Sequence, residues 1–573
     1  MRFKFPLLLF IALVGFSSLA RSAEEGLQNQ PETITPPAPV EPPKEKLYDF
    51  VIKGALVFDG EALVPVTRDL AILADRIVQM GEIDAEEGRE VIEADSLVAS
   101  PGFIDIHTHS DFNPFTYPNL GNKVLQGVTT EVVGNCGMSA APVDGPHREE
   151  IGNVWRREGV EIPKEISWKN LSEYRGEIEF TGLETNFVPL VGHGNLRSSV
   201  MGMDARPPKP EELEAMKSLA TQAFDQGAFG ISFGLTYLPG VFASREELVA
   251  LCKGAAARQK LCVFHIRGEG THLIPAIQEA IDVARESGAR VHISHLKANG
   301  EKNWPKIEEV FRMIDQAKAE GLGVTADAYP YAAGFAELGV VLPDDLYRDP
   351  ERNRLFTDPA ERKKVLKRLE KQYKASPPAW DRIRVATVVS GKNTRWQGKT
   401  LLEISQASNR SPIETLVDLL GEEEFRVSAF YFSQSDAVVD QVLSKPYVAV
   451  GSDSIADGSA TPHPRAYGTF ARMLARCPKN EPVTTSACWG RTIRQMTSLP
   501  AGILGLKDRG KINVGLSADL VLFDPASVTD RATYENPKSP PAGIQWVFVN
   551  GKPVVREGKY EAVHAGVFLV SER

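Results

Sequence analysis

The sequence predicts an α/β protein: a parallel (β/α)8 barrel, a small β-sandwich made from both chain ends, and an insertion after the seventh barrel strand. Three observations carry this. Between about residues 100 and 455, short apolar runs alternate with segments of helical periodicity, and repeated strand–helix alternation means a parallel sheet. Eight such units fit a barrel. Strand-like segments also occur at the two chain ends, too few at either to make a domain alone.

The chain has 573 residues, room for more than one domain, with a net charge of −10 and 24% charged residues. No basic face is indicated, so nucleic acid is not an expected partner. The five cysteines (Cys136, Cys252, Cys262, Cys477 and Cys488) are scattered and odd in number, and no disulfide framework is expected. Met1–Phe5 carries positive charge, Pro6–Ala20 is apolar, and small residues follow. This is the layout of a signal peptide, 1–23, cleaved after Ala20 or Ala23. The apolar run is short for a retained membrane span. Residues 24–46 are rich in Pro, Glu and Gln and are expected to be a disordered linker. The mature protein is expected to be exported, periplasmic or secreted, with no membrane association after cleavage.

The sandwich is expected from residues 47–100 together with 505–573. Its strands are Asp49–Ile52, Ala55–Phe58, Leu70–Leu73 and Arg76–Met80 at one end, and Ala518–Asp524, Ile544–Gly551 and Lys552–Val555 at the other. The barrel is expected over 101–504. Its strands are Phe103–His107, Thr130–Asn135, Asn186–Gly192, Ala228–Phe233, Leu261–Ile266, Arg290–His295, Gly323–Asp327 and Tyr447–Ser452. Between them run helical segments such as Lys209–Gln226, Arg245–Gln259, Leu273–Glu286 and Lys306–Glu320. Residues about 336–400 are too long for one crossover, and they read as an insertion that shapes a substrate mouth or acts as a solvated spacer.

Barrel enzymes place their chemistry at the C-terminal ends of the strands. In an extended chain Asp105, His107, His109 and Asp111 leave on one face, and two imidazoles flanked by carboxylates can chelate a divalent metal. Strand two ends at Cys136, strand three at His193, strand five at His265, strand six at His295 and strand eight at Asp453. Imidazole and thiolate suit zinc. A ligand shared by two zinc ions could be a modified lysine on strand four, but that strand, Ala228–Gly234, has none; Cys136 is the available bridging candidate. Asp453 is the candidate general base and acid. Asp105 and Asp111 could instead orient histidines, and Asp327 is a further candidate. On the substrate side, Lys297 follows His295 by two positions, Arg267 and Glu269 relate to His265 in the same way, and Arg465 suits a bidentate carboxylate. Tyr237, Tyr329 or Tyr331 could donate hydrogen bonds to a developing oxyanion.

These motifs resemble the amidohydrolase superfamily, and within it the D-aminoacylases (N-acyl-D-amino-acid deacylases). The resemblance covers nearly the whole mature chain. It rests on Pro101–His109, Gly134–Ser139, Leu190–Arg197, Ile293–Lys297, Tyr329–Tyr331, Gly451–Asp453 and His463–Phe470. It implies a tight zinc held by Cys136, His265 and His295, and a second, weaker one at His107 and His109 sharing Cys136. It also implies Asp453 as base and acid, with Arg465, Lys297 and a tyrosine binding a substrate carboxylate. Two features depart from the pattern: the exported leader and linker, and Leu296 where a second histidine is expected. The resemblance implies zinc-dependent hydrolysis of N-acyl-D-amino acids. Another amidohydrolase activity, a dipeptidase or cyclic-amide hydrolase, and a catalytically inactive zinc-binding protein are the alternatives.

Overall fold

The computed structural model describes residues 45–572, apart from 146–147, 158–160, 348, 350 and 456–460. The expected leader and nearly all of the expected linker lie outside the described residues. No described helix is long and apolar enough to cross a membrane.

Eight parallel strands, adjacent in chain order, make the central sheet. They are Phe103–Asp105, Val128–Val133, Asn186–Gly192, Gly230–Gly234, Leu261–His265, Arg290–Ile293, Val324–Ala328 and Val448–Val450. A parallel bridge from Thr108 to Ser454 closes the first strand onto the eighth. The two-residue period sorts the side chains. In the fifth strand Leu261 and Val263 point into the barrel beside Ile104, Val132, Val188, Leu190 and Ala449, so His265 emerges at the centre of the top. Cys262 and Phe264 point outwards into the main core. The helix Ser498–Leu504 lends Ala501, Ile503 and Leu504 to the inner cluster.

The expected sandwich is realised as one continuous nine-stranded sheet. It contains Tyr48–Val57, Val66–Leu73, Arg76–Gly81, Gly88–Glu93 and Val98–Pro101 from one end, and Leu520–Phe523, Ile544–Val549, Lys552–Arg556 and Lys559–Tyr560 from the other. The two halves join where Val521 pairs antiparallel with Ser100. The sheet curls around its own core, in which Ile52, Leu70 and Ile92 meet Leu520, Leu522 and Phe548. Its alternate side chains, such as Val521, Phe523 and Val547, join the barrel core.

The insertion runs further than 336–400. Its three-stranded antiparallel sheet pairs Gly334–Glu337 and Ile383–Val388 with Val427–Tyr431, which lies well past residue 400. A separate core, with Leu338, Phe356, Leu369, Val385, Leu416 and Val427, holds it together. The helices Leu401–Ser408 and Pro412–Glu422 belong to it, each opened by a capping box, Thr400 with Glu403 and Ser411 with Glu414.

The cysteines correct the expectation that there is no disulfide framework. Cys252 is bonded to Cys262 and Cys477 to Cys488, and only Cys136 is free. In each pair the partners sit on or beside different elements, so short sequence spacing concealed a tertiary contact. The first joins the helix Arg245–Ala256 to the fifth barrel strand; the second joins the turn after Arg465–Ala475 to the helix Ala487–Met496.

Candidate metal centre

At the top of the barrel two donor sets share one sulfur. His107, His109, Cys136 and Asp453 form the first; Cys136, His265 and His295 form the second. Within each, one ligand atom per residue lies within 4.8 Å of the others, and all are buried. Cys136 Sγ stands 3.3 Å from His107 Nε2 and 3.6 Å from His295 Nε2. A thiolate and an imidazole on a tetrahedral zinc stand about 3.6 Å apart, given ligand distances of about 2.3 and 2.0 Å. His295 Nε2 and His265 Nδ1 are 2.8 Å apart, closer than two such imidazoles would be. The donor set, a thiolate with imidazoles, fits zinc.

The backbone aims these groups in a way the pleat does not. The regular first strand stops at Asp105, so the alternation expected through Asp111 does not hold. His107 and His109 are instead set by main-chain bonds: Asp453 N–H donates to His107 O, Thr108 N–H to Val132 O, and His109 N–H to Ser454 O. Three site residues carry left-handed backbone, Cys136 at φ 53°, His295 at φ 35° and Asp453 at φ 50°. Non-glycine residues adopt that region rarely, and such conformations collect at functional sites.

Behind the donors lies a layer of acids. Asp327 approaches His107 Nδ1 at 3.3 Å and His292 Nε2 at 3.0 Å, and accepts from the His295 backbone N–H at 2.9 Å. It is thus an orienting group, not a proton carrier open to the cavity. Glu269 lies 2.9 Å from His295 Nδ1 and accepts from Lys297 Nζ at 2.5 Å and Asn299 Nδ2 at 3.0 Å. Glu269 and Lys297 Nζ, the latter at 2.8 Å, both hold the ring at Nδ1, which turns Nε2 towards Cys136 and His265. Sequence reasoning related Glu269, with Arg267, to His265; nothing in the spacing betrays its contact with His295. Asp105 does not meet the imidazoles. It accepts from Lys123 Nζ at 2.6 Å and from Ser452, tying the first strand to the eighth. Asp111 accepts from Ala140 N–H, and burial pushes its carboxyl up to about 6.

The electrostatics favour a charged centre. Burial opposes ionisation of Cys136, but the charge on His107 and hydrogen bonds from His107, His109 and His265 hold the thiol well below its usual range. Burial likewise opposes the Asp453 charge, yet Arg465 and His295 keep its carboxyl well below the usual carboxylate value. Burial and the neighbouring His295 push His265 down. Asp453 divides its oxygens: Oδ2 accepts from Arg465 at 2.8 Å, while Oδ1 lies 3.5 Å from His107 Nε2 and 3.4 Å from His109 Nε2.

The centre opens into a cavity of about 1270 Å3, whose wall includes His109, His265, His295 and Asp453 together with Tyr237, Lys297, Tyr329 and Arg465. Among the described residues, Arg465 Nε and the Tyr329 hydroxyl are buried donors without a hydrogen-bond partner, and the guanidinium lies 4.8 Å from the Tyr329 ring centre. The Tyr237 ring packs 4.7 Å from His265. Tyr331 is not brought to the cavity. Its N–H turns back onto Tyr329 O across Pro330, breaking the alternation, and its hydroxyl donates to Pro464 O. Arg267 lines the cavity but is tied to Glu279. His193 is also separate: its Nε2 meets Glu247 at 2.8 Å, beside the Arg197–Glu247 pair.

Known proteins resemble this chain over most of its length. The profile of the amidohydrolase family matches residues 90–555. A D-aminoacylase of Alcaligenes xylosoxydans xylosoxydans is 31% identical over 529 residues, 91% of this chain and 97% of that protein. An N-acyl-D-aspartate deacylase of the same organism is 33% identical over 517 residues, 88% of this chain and 92% of that protein. Among solved structures, the N-acyl-D-glutamate deacylase of Bordetella bronchiseptica, complexed with zinc and a phosphonate inhibitor that mimics the tetrahedral intermediate, is 30% identical. It superposes with a TM-score of 0.75, covering 92% of this chain and 100% of that one.

Proposed function

The chain belongs to the amidohydrolase family, and from that premise we infer that it is a zinc-dependent hydrolase of N-acyl-D-amino acids, releasing a carboxylate and a D-amino acid. The observation that carries this is the pair of donor sets sharing Cys136, open to a cavity that also holds Asp453 and two buried donors unpaired among the described residues. Relatives that the chain matches over most of its length are deacylases of N-acyl-D-amino acids, and one is a zinc complex.

Cys136, His265 and His295 are assigned the tight zinc, and His107 and His109, with Cys136, a weaker second one. When bound, zinc supplies Lewis acidity, polarising a carbonyl and making water acidic enough to ionise near neutral pH. Asp453 takes the proton of the attacking water on Oδ1 and delivers it to the departing amine. Arg465 fixes that carboxylate through one nitrogen, which leaves Nε and the Tyr329 hydroxyl for the substrate carboxylate. Lys297, held by Glu269, adds positive charge to the same wall. Tyr237, beside His265, is assigned a hydrogen bond to the developing oxyanion.

The same reading sets the protein outside the cytoplasm, periplasmic or secreted. Its support is the leader pattern of residues 1–23 and the two disulfides, which persist in oxidising compartments. The decisive experiment measures amine release by zinc-loaded protein from acetyl-D- and acetyl-L-amino acids, short peptides and hydantoins. Release confined to the acetyl-D series is expected; release from peptides or hydantoins alone would transfer the chain to another amidohydrolase activity.

A further inference from the structure

The turn that carries Asp453 requires support. Asp453 sits at φ 50°, a region that costs a non-glycine residue free energy and persists only where its surroundings enforce it. The flanking residues, Ser452 and Ser454, are buried, and their hydroxyls meet one cation. Lys123 Nζ donates to Ser452 Oγ at 3.0 Å and to Ser454 Oγ at 2.8 Å, and its third proton goes to Asp105 Oδ2 at 2.6 Å. Asp105 closes the ring, because its Oδ1 accepts from the Ser452 backbone N–H at 2.8 Å. Glu131 sets a second carboxylate 3.4 Å from the ammonium and is itself held by the hydroxyls of Ser110 and Thr185. Lys123 is 4% exposed and, among the described residues, stands outside the cavity wall.

All three ammonium protons are thus committed in a buried place, where an unpaired one is costly. Releasing the turn would pull two serine hydroxyls off the cation. The same short segment holds the other side of the Asp453–Arg465 pair. Asn122 Nδ2 and Gln126 Nε2 both donate to Ala466 O, at 2.8 and 2.9 Å, and Gln126 Oε1 accepts from the Phe470 N–H at 3.3 Å. These bonds fix the start of the helix Arg465–Ala475 without using the Lys123 side chain.

We propose that Lys123 is a positioning residue for the hydrolysis. It holds the Ser452–Ser454 turn so that Asp453 keeps one oxygen on Arg465 and leaves the other for the attacking water. This rests on the reading of Asp453 as general base and acid.

The test is a double-mutant cycle on zinc-loaded full-length protein, read by amine release from acetyl-D-amino acids. Lys123→Met removes the cation and keeps its bulk. Ser454→Ala removes one acceptor and leaves every charge paired, so it carries the test if the first variant does not fold. A displaced catalytic group should lower kcat by about 10- to 100-fold in Lys123→Met and by about threefold in Ser454→Ala. Because Arg465 is held separately, KM and zinc content should stay within about twofold of wild type. In an Asp453→Asn background each variant should cost less than about a further twofold, since the group it positions is already lost. A merely structural role would lower turnover alike in both backgrounds. Equal losses in the two backgrounds, or an unchanged kcat in the single variants, would overturn the proposal and leave the deacylase reading standing. Near-normal turnover of Asp453→Asn alone would remove the base reading and the proposal with it. Should no acetyl-D-amino acid be cleaved, the deacylase reading falls and the crystal structures of the variants decide: Asp453 displaced from Arg465 upholds the positioning, and an unmoved turn overturns it.

Discussion

Asp453 has one carboxylate oxygen turned to Arg465 and the other to the paired histidines. The division lets a single side chain stay ionised, stay in place and still accept a proton. Asp453→Asn preserves shape and can keep its hydrogen bond to Arg465, but it has no basic oxygen of comparable strength. Zinc content should be retained while turnover falls about 10²- to 10⁴-fold, the usual contribution of a general acid–base; metal analysis beside kcat checks this, and near-normal turnover would remove Asp453 from the role. Residues on this scale were unevenly legible. The positions of His107, His109, Cys136, His265, His295 and Asp453 past strand ends could be read from apolar runs alone. The left-handed turns at Cys136, His295 and Asp453 could not, because none of the three is itself a glycine or asparagine. Nor could the contact of Glu269 with His295, which joins the loops after two different strands.

Among elements, the helix Arg245–Ala256 is fastened to His193–Met201 by one carboxylate. Glu247 is 1% exposed and meets both His193 and Arg197. Burial raises its carboxyl, but His193 and Arg197 prevail and leave it below the ordinary glutamate value. A carboxylate lowered in the folded state stabilises the fold fully above the unfolded value, about 4.3, and loses that contribution as pH falls through the lower folded value. Glu247→Gln strands the buried Arg197 charge and should destabilise by about 3 kcal/mol at pH 7. The gap in thermal midpoint between wild type and variant should narrow below about pH 4; a gap constant with pH would refute the linkage. His193 explains why strand ends alone mislead. It ends a strand as the ligand histidines do, but it opens a helix, and the acid that claims it comes from the next helix but one. The insertion was recognisable by its length, while its far limit was not, since its last strand, Val427–Tyr431, follows two helices that resemble barrel crossovers.

For the whole molecule, the redox state follows from the pairing of four cysteines. Loops of 10 and 11 residues closed by disulfides are each worth about 3 kcal/mol in the chain-entropy account. Protein taken from its host and denatured without reductant should titrate with one thiol per chain, Cys136, and with five after reduction. Five thiols before reduction would place it in a reducing compartment and contradict export. The sheet that seats the barrel has a different consequence, in time. Its first strand begins at Tyr48 and its last ends at Tyr560, and Val98–Pro101 has no partner on one side until Leu520–Phe523 arrives. Domains ordinarily fold from the N-terminus as the chain is made, and pairings between distant segments come late. Here almost the whole polypeptide must be made before Val98–Pro101 gains its second neighbour, so the sheet that joins the chain ends is the last part of the fold to close.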